Sequence, residues 1–193
     1  EQGHPGARLK LGWMYESGHG VPQDNKEAVR WYRMVAEQGN SRGQFHMGTM
    51  YENGRGVPKN YTEAARWYRM AVKNGYPAAQ KNLNRVKPLE RKEQEKERQR
   101  QRLIQKANQG DREAQYQIGM EADREKDYAT AIKEYRPSAE QGHIEAQRKM
   151  GLLYESGRGV PQDYKEAVRW YRMAAEQGHP GARLKLGWMY ESG

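Results

Sequence analysis

Apolar residues in this chain fall in short stripes three and four residues apart, separated by polar, glycine-rich loops, and the stripes recur. Between Gly142 and Gly178, Ala146, Met150 and Tyr154 lie four residues apart, while Ala167, Trp170, Tyr171, Ala174 and Ala175 follow the i, i+3, i+4, i+7, i+8 order. These patterns predict two helices, each with one buried side, joined by the loop Gly157-Arg158-Gly159-Val160-Pro161. The frame returns as Ala7, Leu11-Gly12, Tyr15, Gly18-His19-Gly20-Val21-Pro22 and Trp31-Tyr32, then, 36 residues on, as Met47-Gly48, Tyr51, Gly54-Arg55-Gly56-Val57-Pro58 and Trp67-Tyr68. Self-similarity at this period is the mark of a solenoid of helical hairpins.

The ends of the helices are also written in the sequence. Asp24 with Glu27, Asn60 with Glu63 and Asp163 with Glu166 have the spacing of a capping box at the start of each second helix. Gly39, Gly75 and Gly178 stand where a glycine should end it. Gly151 lies inside a first helix, where glycine costs about 1 kcal/mol relative to alanine. The Trp170-Tyr171 pair on the neighbouring helix is the expected compensation, since bulky rings need a partner of almost no volume.

The pattern A-x-x-x-L-G-x-x-Y, G-x-G-V, D-x-x-x-A-x-x-W-Y-x-x-A-A-x-x-G resembles the Sel1-like repeat, a relative of the tetratricopeptide repeat. The resemblance covers roughly residues 1–86 and 107–193. It implies an all-α fold, a right-handed superhelical solenoid of Sel1-like or TPR-like helix-loop-helix repeats, which acts as an adaptor or scaffold for other proteins on its concave face and performs no chemistry.

Three segments follow. Residues 1–86 hold hairpins ending in a worn first helix at 77–86, where Ala79 and Leu83 keep register but Asn84 replaces the helical glycine. Residues 87–106 read as a charged linking helix with Pro88 in its first turn. It has no apolar residue between Leu89 and Leu103, which favours a solvated helix; a degenerate repeat in phase with its neighbours is also possible on the spacing, because Gly75 and Gly110 are 35 residues apart. Residues 107–193 resume the array through a unit four residues shorter, Gly110 to Gly142, which lacks the G-x-G-V-P loop, and end in a half repeat.

Residues 1–18 and 176–193 are identical, EQGHPGARLKLGWMYESG. Neighbouring repeats agree far less well, so a circular permutation or a window on a tandem duplication is expected. The last helix lacks the helix that should cover Leu186, Gly187 and Tyr190, and homo-oligomerisation by head-to-tail docking on the equivalent of residues 24–38 follows.

Composition narrows the chemistry. Only 35% of residues are hydrophobic, with one Phe against 13 Tyr and five Trp, which suits a thin core. No cysteine is present, which excludes disulfides and thiolate metal sites and leaves the compartment open between bacterial cytoplasm and periplasm or secretion. No apolar run reaches membrane-spanning length. His4, His143 and His179 share one position after a helix end and read as turn or N-cap residues, spread too widely to form a metal site. The G-x-G-V-P loop lacks the Lys-Ser/Thr of a phosphate cradle. Glu16, Glu52, Glu155 and Glu191 form a column expected to pair with arginine. No catalytic constellation, cofactor site or metal site is read, and the chain is not expected to be an enzyme.

The net charge of +9 permits nucleic acid, acidic protein or anionic lipid as partner. Arg30, Arg66, Lys133 and Arg169 share one second-helix position and Arg33, Arg69, Arg136 and Arg172 another. Such ladders are either solvated and paired within their helices or a track for nucleic acid. The leading expectation is a protein or peptide held by first-helix residues that vary between units: Arg8, Gln44, Gln115, Gln147 and Arg183, with Trp13 and Trp188 as aromatic anchors. Core packing is the alternative for Trp13.

Overall fold

The computed structural model describes residues 4–192, and every regular element among them is an α-helix. These are α1 (Pro5–Ser17), α2 (Asn25–Glu37), α3 (Ser41–Asn53), α4 (Tyr61–Lys73), α5 (Ala79–Asn108), α6 (Arg112–Arg124), α7 (Tyr128–Glu140), α8 (Ile144–Ser156), α9 (Tyr164–Glu176) and α10 (Pro180–Ser192). The chain is an all-α solenoid in two compact units, Glu1–Glu97 and Arg98–Gly193. In the first unit α1 pairs with α2 and α3 with α4, and α2 stacks on α3. In the second, α6 pairs with α7 and α8 with α9, while α7 stacks on α8 and α9 on α10.

The second helices start on side-chain caps. Asp24 accepts from the amides of Lys26 and Glu27, Asp163 from those of Lys165 and Glu166, and Asn60 from that of Glu63. The return half of the expected capping box is replaced. The amides of Asp24, Asn60 and Asp163 donate to the carbonyls of Tyr15, Tyr51 and Tyr154 near the end of the preceding helix. With that donor satisfied, Glu27, Glu63 and Glu166 turn to Arg30, Arg66 and Arg169 one turn on. Gly39, Gly75 and Gly178 adopt positive φ just beyond their helices, the left-handed conformation that stops an α-helix.

The helical glycines mark the closest approach within each hairpin. A Cβ added to Gly12, Gly48, Gly119 or Gly151 would lie 2.5, 2.6, 2.6 and 2.6 Å from the rings of Tyr32, Tyr68, Tyr135 and Tyr171. The ring over the glycine is therefore the tyrosine alone and not the Trp-Tyr pair. Its tryptophan neighbour serves the preceding hairpin: Trp67 packs with Val29, Tyr32 and Met47, and Trp170 with Ile132, Tyr135 and Met150. One side chain thus closes a repeat and the next joins it to the one before. Burial of each ring contributes about 1.5–3 kcal/mol.

The tyrosine hydroxyls organise a second, polar layer. Tyr32 donates to Glu16 at 2.8 Å, Tyr68 to Glu52 at 2.7 Å and Tyr135 to Asp123 at 3.4 Å, and Tyr171 makes the same bond to Glu155. A cation from farther along the chain completes each group: Arg55 on Glu16, Arg85 on Glu52, Lys149 on Asp123 and Lys185 on Glu155. The glutamate column does pair with cations, but its first partner is a phenol. Burial, with the Glu52 carboxylate alongside, pushes the Tyr68 hydroxyl up to about 12, so it remains a donor. Burial alone would disfavour the Glu155 carboxylate, yet hydrogen bonds from Lys185 and Tyr171 outweigh it and hold the group below its ordinary value.

The middle of the chain departs from expectation. The worn helix and the charged linker are one 30-residue helix, α5, with Pro88 inside it and not in its first turn. Strong helix formers on both sides of the proline carry the helix through. Nor is its charged stretch wholly solvated. Glu90 is buried against Arg69 and Gln94. The Glu93 carboxylate receives the amides of Tyr61 and Thr62 and the Thr62 hydroxyl, placing an anion at the start of α4 where the helix dipole favours it.

Three outcomes are expected in denaturation experiments. Gly48→Ala forces a methyl into the Tyr68 ring, and overpacking of about 1–3 kcal/mol exceeds the roughly 1 kcal/mol gained in helix propensity, so the urea midpoint falls. Glu93→Ala removes the acceptor at the start of α4 and costs about 1–2 kcal/mol. Because the folded-state pKa of Glu155 is depressed, its contribution is complete above the ordinary glutamate value and is lost as pH falls through the depressed one. Stability measured as pH falls below about 4.5 should decline less steeply in Glu155→Gln than in the parent chain.

Candidate functional site

Each first helix keeps one side away from its partner, and within a unit these sides lie next to one another. In the second unit polar contacts hold them together. His143 Nδ1 accepts from the Ala146 amide and so caps α8, which leaves Nε2 to donate to Glu113 at 3.0 Å. His179 does the same at the start of α10, accepting from Ala182 and donating to Glu145 at 2.8 Å. His4 likewise accepts from an amide, that of Gly6, at the start of α1. The shared histidine position is thus a capping position, and in the second unit it also links one first helix to the next. Hydrogen bonds from Gln117 and His143 hold Glu113 below its usual range. Lys149 on Asp123 and Lys185 on Glu155 fix the same helices farther along, about two to three turns from the histidine contacts.

Between these contacts the first-helix face of the second unit carries two rows at matching frame positions. One is Tyr116, Arg148 and Leu184, and the other Met120, Leu152 and Trp188. Leu184 and Trp188 are 57% and 56% exposed, whereas Tyr116, Met120 and Leu152 are half-buried. In the first unit the corresponding positions hold Leu9 with Phe45, and Trp13 with Thr49. Trp13 is 46% exposed, its ring tilted 5.3 Å from that of His19. The frame thus puts Trp13 and Trp188 at the surface and not in the core.

The other candidates divide sharply. Gln44, Gln115 and Gln147 are 0%, 8% and 1% exposed and have no surface to offer a partner. Each donates its amide to a carbonyl eight residues back, on Ala36, Ala107 and Ala139, and accepts from Asn74, Gln141 and Gln177 farther on. A buried amide is tolerated only with both ends bonded, so these residues join three helices instead of binding a ligand. Arg183 occupies the same frame position and reaches the Ala175 carbonyl through Nε, but it stays exposed. Arg8 is half-buried on α1.

The arginine ladders are largely engaged. In the first, Arg30, Arg66 and Arg169 pair with glutamates in their own helices, and Lys133 lies 3.9 Å from Glu134. In the second, Arg33, Arg136 and Arg172 donate to the hydroxyls of Tyr51, Tyr154 and Tyr190, and Arg69 binds Glu90. The loop glycines are structural: a Cβ on Gly56 would strike the Asn25 carbonyl, and one on Gly159 would meet Tyr128. Val57 and Val160 pack against the adjoining cores. Among the described residues no group of three His, Asp or Glu side chains has metal-binding geometry, and no helix is long and apolar enough to cross a membrane. Sequence reasoning missed Leu184, although an apolar residue four before Trp188 and off the buried stripe was the available signal.

Two proteins of known structure are similar in sequence over nearly the whole chain. A protective antigen of uropathogenic Escherichia coli with an SLR fold is similar at 32% identity and a TM-score of 0.49, over 100% of this chain and 42% of its own. A Sel1 repeat protein from Oxalobacter formigenes is similar at 31% identity and a TM-score of 0.41, over 97% of this chain and 64% of its own. The chain thus spans less than half of the first protein and under two thirds of the second. No curated protein matches the sequence. The Sel1 repeat profile matches residues 5–40, 41–76, 112–143 and 144–179, together most of the chain, and the protein belongs to the Sel1 repeat family.

Proposed function

We propose that this chain is a noncatalytic adaptor that holds an apolar segment of another protein across the first-helix face. The observation that carries this reading is the exposure of Leu184 and Trp188, 57% and 56%, in line with the half-buried Tyr116, Met120 and Leu152. Two large apolar side chains exposed one turn apart on α10 supply the anchors a peptide needs, and Trp contributes most per residue at such sites. Arg183 supplies a polar contact beside these anchors, and Trp13 with Arg8 gives the first unit a face of the same kind by itself. Nucleic acid is the weaker alternative. Although the charge is +9, the ladders that would follow a phosphate backbone already donate to glutamates and tyrosines.

The intact chain used as bait, read by mass spectrometry, should retain a protein whose binding segment can be mapped and synthesised. Fluorescence anisotropy with that peptide should show binding weakened roughly tenfold or more by Trp188→Ala or Trp13→Ala. Gln147→Ala, by contrast, should lower stability first. Unchanged peptide affinity in both tryptophan variants would refute the assignment. Retention of RNA or DNA that falls steeply with salt would move the function to the arginine ladders.

A further inference from the structure

In the second unit a lysine two residues before the helical glycine ties each first helix to the one before it. Lys149 reaches Asp123 at 2.6 Å and Lys185 reaches Glu155 at 2.7 Å, in each case the acid that the tyrosine of the preceding hairpin already holds. In the first unit the same frame position, two before Gly48, is His46. The acid of the preceding hairpin there is Glu16, held by Tyr32 in the usual way. Histidine is shorter than lysine, and its ring takes a different course. It lies flat on the Tyr32 ring, with centroids 4.4 Å apart and an interplanar angle of 8°, while the Phe45 ring stands edge-on at 5.7 Å. The cation on Glu16 comes instead from the exposed Arg55, in the loop after α3, at 3.4 Å.

His46 is thus a half-buried titratable group inside a joint. Around it stand Glu16 from α1, Tyr32 from α2, Tyr68 from α4 beyond the Phe45 ring, and Arg55 on Glu16. Arg42 lies one turn earlier on α3 itself. Burial disfavours the imidazolium and outweighs the Glu16 charge, so the ring titrates below the ordinary histidine value. Near neutral pH the uncharged ring is the form that stacks in the joint. With the folded-state value lowered, the unfolded chain binds the proton more readily. The contribution of the stack is therefore complete above about 6.5 and is lost as pH falls through the lowered value. A lysine side chain ordinarily keeps its charge throughout that range, so the exchange of lysine for histidine is what makes this contact responsive.

We propose that His46 makes the joint between the first two hairpins acid-sensitive: protonation puts a charge into the stack on Tyr32 and loosens α3 from the α1–α2 hairpin. Phe45, its neighbour in sequence and in the stack, shares the first-helix face with Leu9, so the surface that the first unit presents changes with the joint. The device does not depend on the peptide-binding reading.

Proton NMR of the assigned His46 ring tests this on the parent chain. Its midpoint should lie below about 6.5, and amide exchange in α3, corrected for the intrinsic effect of pH, should be faster at about pH 5.5 than at about 7.5. His46→Gln keeps a neutral polar group, and His46→Lys restores the lysine of the other repeats. In both, the urea midpoint should fall less between about pH 7.5 and 5.5 than it does in the parent. A ring that served only as packing would leave the pH dependence of parent and variants parallel. That parallel course would overturn the proposal, as would a His46 midpoint at or above about 6.5.

Discussion

Each hairpin closes because a second-helix tyrosine ring comes to rest on the bare backbone of a first-helix glycine, with less space between them than a methyl group needs. A glycine in a helix is unfavourable by itself, and the ring offsets that cost by burying its face on the neighbouring helix. Its position also places the hydroxyl where an acidic side chain of the same first helix accepts from it. The apolar contact and the polar layer above it are therefore set by one residue.

The links between repeats combine apolar packing with polar bonds that fix their geometry. A buried glutamine spans the end of one second helix and the end of the next, and an acid already held by its own tyrosine takes a lysine or arginine from farther along. Because buried amides and carboxylates cost free energy unless all their bonds are made, these contacts specify how one hairpin sits on the next more than they add raw stability. The tryptophans add the apolar share of the same joint. On the proposed reading, a partner uses the side of the first helices that these contacts leave open.

Much of this could be read from particular residues. Gly48 and Gly151 announce a close approach, because a helical glycine must be compensated. Which ring compensates was not legible, since adjacent positions on a helix face about 100° apart and the preceding hairpin competes for one of them. Gln44, Gln115 and Gln147 share a position with Arg8 and Arg183, and such variation reads like surface. Yet amide and guanidinium both donate to the carbonyl eight residues back, so a difference in side chain hides a common bond. The capping role of Glu93 joins residues more than 30 apart and has no local signature.

The short repeat shows where this architecture measures length. Its helices α6 and α7 have 13 residues like most others, and only the connection shrinks, so that the acid and its tyrosine stand 12 residues apart there and 16 elsewhere. Both spacings bring hydroxyl and carboxylate together. The turn within a hairpin is thus a place where chain can be removed, or grafted in, while the bond between tyrosine and acid survives, which makes it the natural site for evolution or an engineer to hang cargo.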